Sequence, residues 1–495
     1  MTGRALMLQG TGSDVGKSIL TAALCRIAKR EGLRVAPFKP QNMSNNAMAC
    51  RSGGEIGRAQ ALQAQAAGLE PHVDMNPVLL KPQSDRMAQV VVHGQALNAM
   101  EAADYMASRD QLMGAVLESF DRLIQANDLV IVEGAGSPAE INLRDRDIAN
   151  MGFARKAGVP VCLIGDIDKG GVIASLVGTQ AVLDPEDAAM IRGFLINKFR
   201  GDPALFEDGV SAIETQTGWP CFGVIPWLRA PSLLPAEDAV SVAPAAAAKA
   251  GALKVVAPML SRIANFDDAD PLRLDPGIDF QWIPPGTALP RDADLVILFG
   301  TKSTIGDLGF LRDQGWDHDL LAHARSGGRV LGICGGYQML GTRICDPDGF
   351  DGPAGSVPGL GLLDVQTVMT RAKQVQPVTG QCAVTGEALT GYEIHVGKTE
   401  GPDTERPFSI LSGRPDGARS ADDRIQGTYL HGVFVEDDFR ASWLTRAGAK
   451  VESQLTFNAA VETALDELAD EVAKAVNVDA LLQLAKTPVL PKTQT

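Results

Sequence analysis

The 495-residue sequence predicts an α/β protein made of two doubly wound domains. Three observations predict it. Short apolar runs alternate with helical stretches, the pattern of a parallel sheet covered on both faces. The alternation fades after Trp227 and restarts near residue 254. Between the two lies SVAPAAAAKAG at 241–251, an Ala/Pro-rich stretch with no apolar period, expected to be a linker. The expected strands are 5–9, 34–38, 129–133, 159–164 and 193–197 in the first half, then 254–259, 295–299 and 329–333 in the second. Helices are expected at 17–30 and 56–67, and a helical tail at 437–485. The division is therefore 1–240, a linker 241–251, a second domain 252–440 and a C-terminal helical tail 441–495.

Composition narrows the function. Hydrophobic residues make up 45% and charged residues 21%, the balance of a globular protein with ample apolar surface to bury. Lys plus Arg number 45 and Asp plus Glu 60, a net charge of −15 that argues against nucleic acid or an anionic membrane as partner. Seven scattered cysteines without a C-x-x-C pair exclude a disulfide framework or zinc ribbon as the expectation, and fit a reducing cytoplasm. No run approaches the ~18 apolar residues of a membrane span, and no signal peptide is expected. Oligomeric state is left open.

Residues 10–18, GTGSDVGKS, join the first strand to the first helix. Backbone N–H groups of such a turn point at phosphate oxygens, and the helix N-terminus adds positive potential. Gly12 and Gly16 shape the loop, Lys17 reaches the β/γ-phosphates and Ser18 holds Mg²⁺. The loop is one residue longer than the usual spacing, with Thr11 where a glycine is expected. Residues 128–136, DLVIVEGAG, are a strand ending in Glu133, a second candidate Mg²⁺ ligand. GTGSDVGKS, VEGAG and the Asn-Lys pair at 197–198 resemble the dethiobiotin synthetase family. That resemblance implies a P-loop NTPase-like sheet, ATP as the activating substrate, Asn197 on adenine and Lys39 assisting phosphoryl transfer.

Residues 329–341, RVLGICGGYQMLG, run an apolar strand into Cys334 among small residues and then into a helix. Glycines at 332, 335 and 336 allow the tight turn of a nucleophile elbow, and the helix N-terminus favours negative charge on sulfur. His431 in YLHG is the candidate base and His395 in EIHVG its competitor; Cys345 and Cys382 lack such surroundings. G-x-C-G-G-x-Q and Y-L-H-G resemble the class I glutamine amidotransferases, which have a flavodoxin-like fold and release ammonia through a cysteinyl thioester. The glutamate that this class places two residues after the histidine is Val433 here, so the third member comes from elsewhere or is missing. The resemblance assigns Gly300, with Gly335, to the oxyanion hole.

Together with FKPQNMSNNA at 38–47, GDIDKGG at 165–171 and the domain order, these motifs resemble the cobyric acid synthase family over nearly the full chain. The resemblance implies amidation of the b, d, e and g carboxylates of adenosylcobyrinic acid a,c-diamide, with ATP, Mg²⁺ and glutamine. The polar side chains of Asn42, Asn45 and Asn46 are candidates for lining the corrinoid pocket. Asp166 and Asp168 are alternative metal ligands, and Arg144 and Arg146 candidate cations for an anionic substrate. Two rival readings stand beside this one: a cobyrinic acid a,c-diamide synthase, and a P-loop ATPase switch with a non-catalytic C-terminal binding domain.

Overall fold

In a computed structural model of the chain, residues 3–82, 87–101, 109–235, 251–351, 354–450, 453 and 455–490 are described. They divide into two compact units. Nearly all of the expected linker falls outside the described residues.

Unit 1 comprises Met1–Ser44, Gly54–Pro235 and Val461–Thr495. Its sheet uses β1 (Arg4–Gly10), β2 (Val35–Phe38), β3 (Leu129–Glu133), β4 (Val161–Asp166), β5 (Ile191–Phe199) and β6 (Cys221–Pro226). The order is β6-β5-β4-β1-β3-β2, and every pairing is parallel. The apolar runs expected to be strands become its buried rungs because each has a covered face on both sides. Phe38, Phe120 and Phe153 meet in a ring cluster beneath β2, with centroids 5.0–5.5 Å apart. The winding reverses at β1, so the carboxyl ends of β1, β3 and β4 open at the switch point where such sheets bind ligands.

Helix α1 (Lys17–Arg30) follows β1, and α2 (Arg58–Ala67) packs beside it. The first turn of α1 has no acidic residue and no side-chain cap, and its cap residue Gly16 is left-handed at φ 98°. Its N–H groups are thus not satisfied by a local carboxylate or hydroxyl, as an anion site requires.

Unit 2 comprises Asn45–Gly53 and Ala236–Ala460. Its main sheet contains β7 (Leu253–Pro258), β8 (Ile278–Ile283), β9 (Leu295–Leu298), β10 (Arg329–Ile333), β11 (Ala418–Arg419) and β12 (Ile425–Thr428), in the order β8-β7-β9-β10-β12-β11. All pairings are parallel except β11 with β12. Alternation splits its side chains: Val255, Ile297 and Leu331 join one core, while Val256, Val296 and Val330 join another. A short helix, α3 (Gly335–Leu340), leaves the end of β10.

Two expectations need correction. The tail is not one separate element: helix Asp437–Ala447 lies in unit 2, whereas residues from Val461 on return to unit 1. The reason is a helical stripe of Val461, Leu465, Leu468 and Val472, all buried, with Arg26 paired to Glu462 and Arg30 to Asp470. Lys486 then exchanges backbone hydrogen bonds with Ala5. Likewise, the first domain is not continuous, because Asn45–Gly53 belongs to unit 2. Among the described residues, no helix is long and apolar enough to cross a membrane.

Candidate active sites

In unit 1 the loop after β1 wraps back over itself. Lys17 donates from Nζ to the carbonyls of Gly12 (2.8 Å) and Gly136 (3.2 Å), which holds the ammonium over the loop mouth. Gly10 must be glycine, since a Cβ there would stand 2.5 Å from Val15 and 3.1 Å from the Lys17 Nζ. That close approach accounts for the shifted glycine in the longer loop. Asn197, at the end of β5, donates its amide to the Val15 carbonyl at 2.8 Å, and a Cβ on Gly16 would collide with that same amide. Asn197 is thus placed against the loop itself.

Glu133 is fully buried at the end of β3 and gathers the neighbouring donors. Its Oε1 accepts from Ser18 (2.7 Å) and Lys39 (2.8 Å), and its Oε2 from Gln63 (2.6 Å). Sequence reasoning singled out Ser18, Lys39 and Glu133 separately; the fold brings them onto one carboxylate. Gln63 was missed, because a glutamine within an Ala/Gln-rich helix carries no distinctive signal. Ser18 and Glu133 offer adjacent hard oxygens, a donor set that fits Mg²⁺, which usually takes one or two protein oxygens plus phosphate and water. Among the described residues no larger group of His, Cys, Asp or Glu is assembled for a metal.

Other candidates have different partners. Asp166 is bonded by Lys198 at 2.9 Å and Asp168 by Arg200 at 2.6 Å. Arg144 forks onto the buried Asp187 as an ion pair. Asn42 donates to Gln60 at 2.9 Å, and Asn46 accepts from the backbone of Asn265 at 2.7 Å. Both are buried, and the Oδ1 of Asn45 is buried without a hydrogen bond.

In unit 2, Cys334 sits between β10 and α3 with φ 55° and ψ −112°, a strained backbone for a non-glycine residue. Its N–H is held by the Thr428 carbonyl at 2.8 Å. The flanking glycines make the turn possible: a Cβ on Gly336 would be 1.9 Å from the Leu298 oxygen, and one on Gly332 2.6 Å from the Tyr337 nitrogen. The sulfur lies 3.5 Å from the Ile394 carbonyl oxygen and is near enough to His431 to help hold its proton. Gly300 is at the same place, for a Cβ on it would stand 3.1 Å from His431 Cε1 and 3.6 Å from Cys334 Cβ. A Cβ on Gly335 would meet Thr301 Cγ2 at 2.7 Å.

The third member is Asp268. Its Oδ2 is 2.7 Å from His431 Nδ1, and its Oδ1 accepts from the Gly432 N–H at 2.6 Å. Sequence reasoning missed it because FDDAD at 266–270 reads as a solvated acidic run; here a one-turn helix, Phe266–Ala269, buries it. Burial disfavours an imidazolium, but the Asp268 carboxylate and the Cys334 sulfur outweigh it and hold His431 up at about 10. His395 is the opposite case. Burial pushes it down to about 4, opposed by Glu393 and reinforced by His431. Its ring stacks on Tyr429 at 3.8 Å, and its Nδ1 is buried without a hydrogen bond. Of the two histidines, only His431 has the carboxylate partner of a general base. Gln338 completes the pocket wall, bonded to Thr304, Val396 and Tyr429.

Comparison with known proteins finds two family models on the chain. Residues 6–242 match the CobQ/CobB/MinD/ParA nucleotide binding domain, and 254–439 the CobB/CobQ-like glutamine amidotransferase domain. The chain is 65% identical to the cobyric acid synthase of Hyphomonas neptunium over 99% of both chains. It is 60% identical to that of Bradyrhizobium diazoefficiens and 61% to that of Paracoccus denitrificans, over 98% and 97% of this chain and all of each relative. A nucleotide-binding unit and a cysteine-bearing amidotransferase unit on one chain, with full-length relatives at this identity, make it a glutamine amidotransferase ligase that belongs to the cobyric acid synthase family.

Proposed function

We propose that this enzyme amidates the b, d, e and g side-chain carboxylates of adenosylcobyrinic acid a,c-diamide, consuming one ATP and one glutamine per amide. The observation that carries the reading is the pairing of a phosphate-loop centre built on Glu133 with a Cys334–His431–Asp268 arrangement on the same chain. The b, d, e and g specificity itself rests on the likeness to the named relatives.

In unit 1, the α1 N-terminus and Lys17 bind the β- and γ-phosphates. Ser18 and Glu133 would hold Mg²⁺, which would supply neutralisation of phosphate charge. Lys39 stands beside the transferring phosphoryl group and offsets its charge as a substrate carboxylate oxygen attacks the γ-phosphorus. ADP leaves and an acyl phosphate forms. Asn197 keeps the loop in shape and contacts the adenine.

In unit 2, His431 holds the proton taken from Cys334, and Asp268 fixes the tautomer and orientation of the ring. The thiolate attacks the glutamine amide carbon, and N–H groups at Gly300 and Gly335 stabilise the oxyanion. His431 passes its proton to the departing nitrogen, releasing ammonia and leaving a thioester. Water, deprotonated by His431, hydrolyses the thioester to glutamate. Ammonia then attacks the acyl phosphate, giving the carboxamide and inorganic phosphate. The reaction is proposed to take place in the cytoplasm.

The test is incubation with ATP, Mg²⁺, glutamine and adenosylcobyrinic acid a,c-diamide, followed by mass analysis. Four successive carboxyl-to-amide steps support the proposal. An unchanged substrate rejects it, as does a parallel incubation in which only cobyrinic acid is amidated, at its a and c positions.

A further inference from the structure

Asn45–Gly53 is a short excursion of chain whose neighbours on both sides belong to unit 1, while it belongs to unit 2. Its first residues are bonded to the turn that supplies Asp268. The N–H of Asn265 donates to Asn46 Oδ1 at 2.7 Å, and the N–H of Ala47 donates to Asn265 Oδ1 at 3.0 Å. Both asparagines are buried. Asn265 is left-handed at φ 53° and opens the one-turn helix Phe266–Ala269; its carbonyl accepts from the Asp268 N–H at 3.2 Å. The preceding residue, Ala264, donates its N–H to the Gly300 carbonyl at 2.8 Å. The turn is therefore fixed on one side by the oxyanion strand end and on the other by Asn46. No step of the mechanism above uses this clamp.

We propose that Asn46 and Asn265 are positioning residues of the glutamine-hydrolysing site, setting His431 through the Asp268 turn. This inference rests on the glutaminase role proposed for Cys334 and His431, and it deepens that role.

The test uses the full chain and assays glutamine hydrolysis by itself, so that it does not depend on the corrinoid. Asn46→Ala deletes the acceptor and leaves a buried N–H unpaired. The expected result is a drop of about tenfold in kcat for glutamine hydrolysis, with KM for glutamine changed less than about twofold. Its alkaline limb should shift to lower pH, because a loosened Asp268 no longer holds the His431 proton. Asn46→Asp, which keeps an acceptor oxygen, should recover most of the rate. Ammonia-dependent amidation should stay within about twofold of wild type. Unchanged hydrolysis and pH profile in Asn46→Ala would overturn the positioning role. Equal loss of the glutamine and ammonia reactions with a raised KM for corrinoid would instead make Asn46 a substrate contact. If the wild type hydrolyses no glutamine, it is the glutaminase reading that fails.

Discussion

Asp268 Oδ2 lies 2.7 Å from His431 Nδ1 although the two residues are 163 positions apart in the chain. Removing the charge but not the shape should reveal what the pair does. The His431 pKa is raised in the fold to about 10, so the imidazolium persists well above the ordinary histidine value of about 6.5. Its contribution to stability is present in full below the unfolded value and is lost as pH rises through the folded one. In Asp268→Asn, burial is opposed by less charge, and His431 should lose its proton at lower pH. We expect glutamine hydrolysis to fall by about 100-fold or more and its alkaline limb to shift towards acid. The check is a pH–rate profile with a parallel series of Cys334 alkylation rates by iodoacetamide; an unshifted limb would remove Asp268 from the role.

Cys334→Ala should abolish glutamine-dependent amidation and retain the reaction with a high concentration of ammonium salt. Both rates come from the same product assay. Full glutamine use by the variant would exclude the thioester route.

Glu133→Gln should cut amidation from either nitrogen source by about 100-fold or more, because the carboxylate that receives Ser18 and Lys39 is gone. The Mg²⁺ concentration for half-maximal rate should rise. Glutamine hydrolysis measured without ATP should remain within about threefold of wild type. An unchanged Mg²⁺ requirement would disprove the ligand role.

Gly336→Ala places a methyl group where the Leu298 carbonyl oxygen already stands, at 1.9 Å. The elbow must open to relieve it, at a cost of about 1–3 kcal/mol in the fold. The expected outcome is a lower Tm and loss of glutamine hydrolysis together. A variant of wild-type Tm with an active Cys334 would contradict the packing described for the elbow.

The sequence by itself marked five of the six strands of the main sheet of unit 1 and three of the six in that of unit 2, with most of what stands at their ends. Buried parallel strands need continuous apolar runs, phosphate loops need glycines, and a nucleophile elbow needs small residues around the cysteine; each requirement leaves a local mark. β3 and β10 were legible to the residue, and Lys17, Ser18, Glu133, Cys334, His431 and Gly300 all stand where those motifs end. The reverse holds for groups whose role depends on a distant partner. Nothing in the local sequence marks Asp268, among its neighbours Asp267 and Asp270, as the partner of His431, or Arg144 as the partner of Asp187. Asn46 reads as part of a polar loop until Asn265 closes on it. A hydrogen bond between remote residues has no period and no spacing in the chain. Only the tertiary structure decided which carboxylate supports the histidine, that the last residues return to unit 1, and that a nine-residue excursion at 45–53 belongs to unit 2.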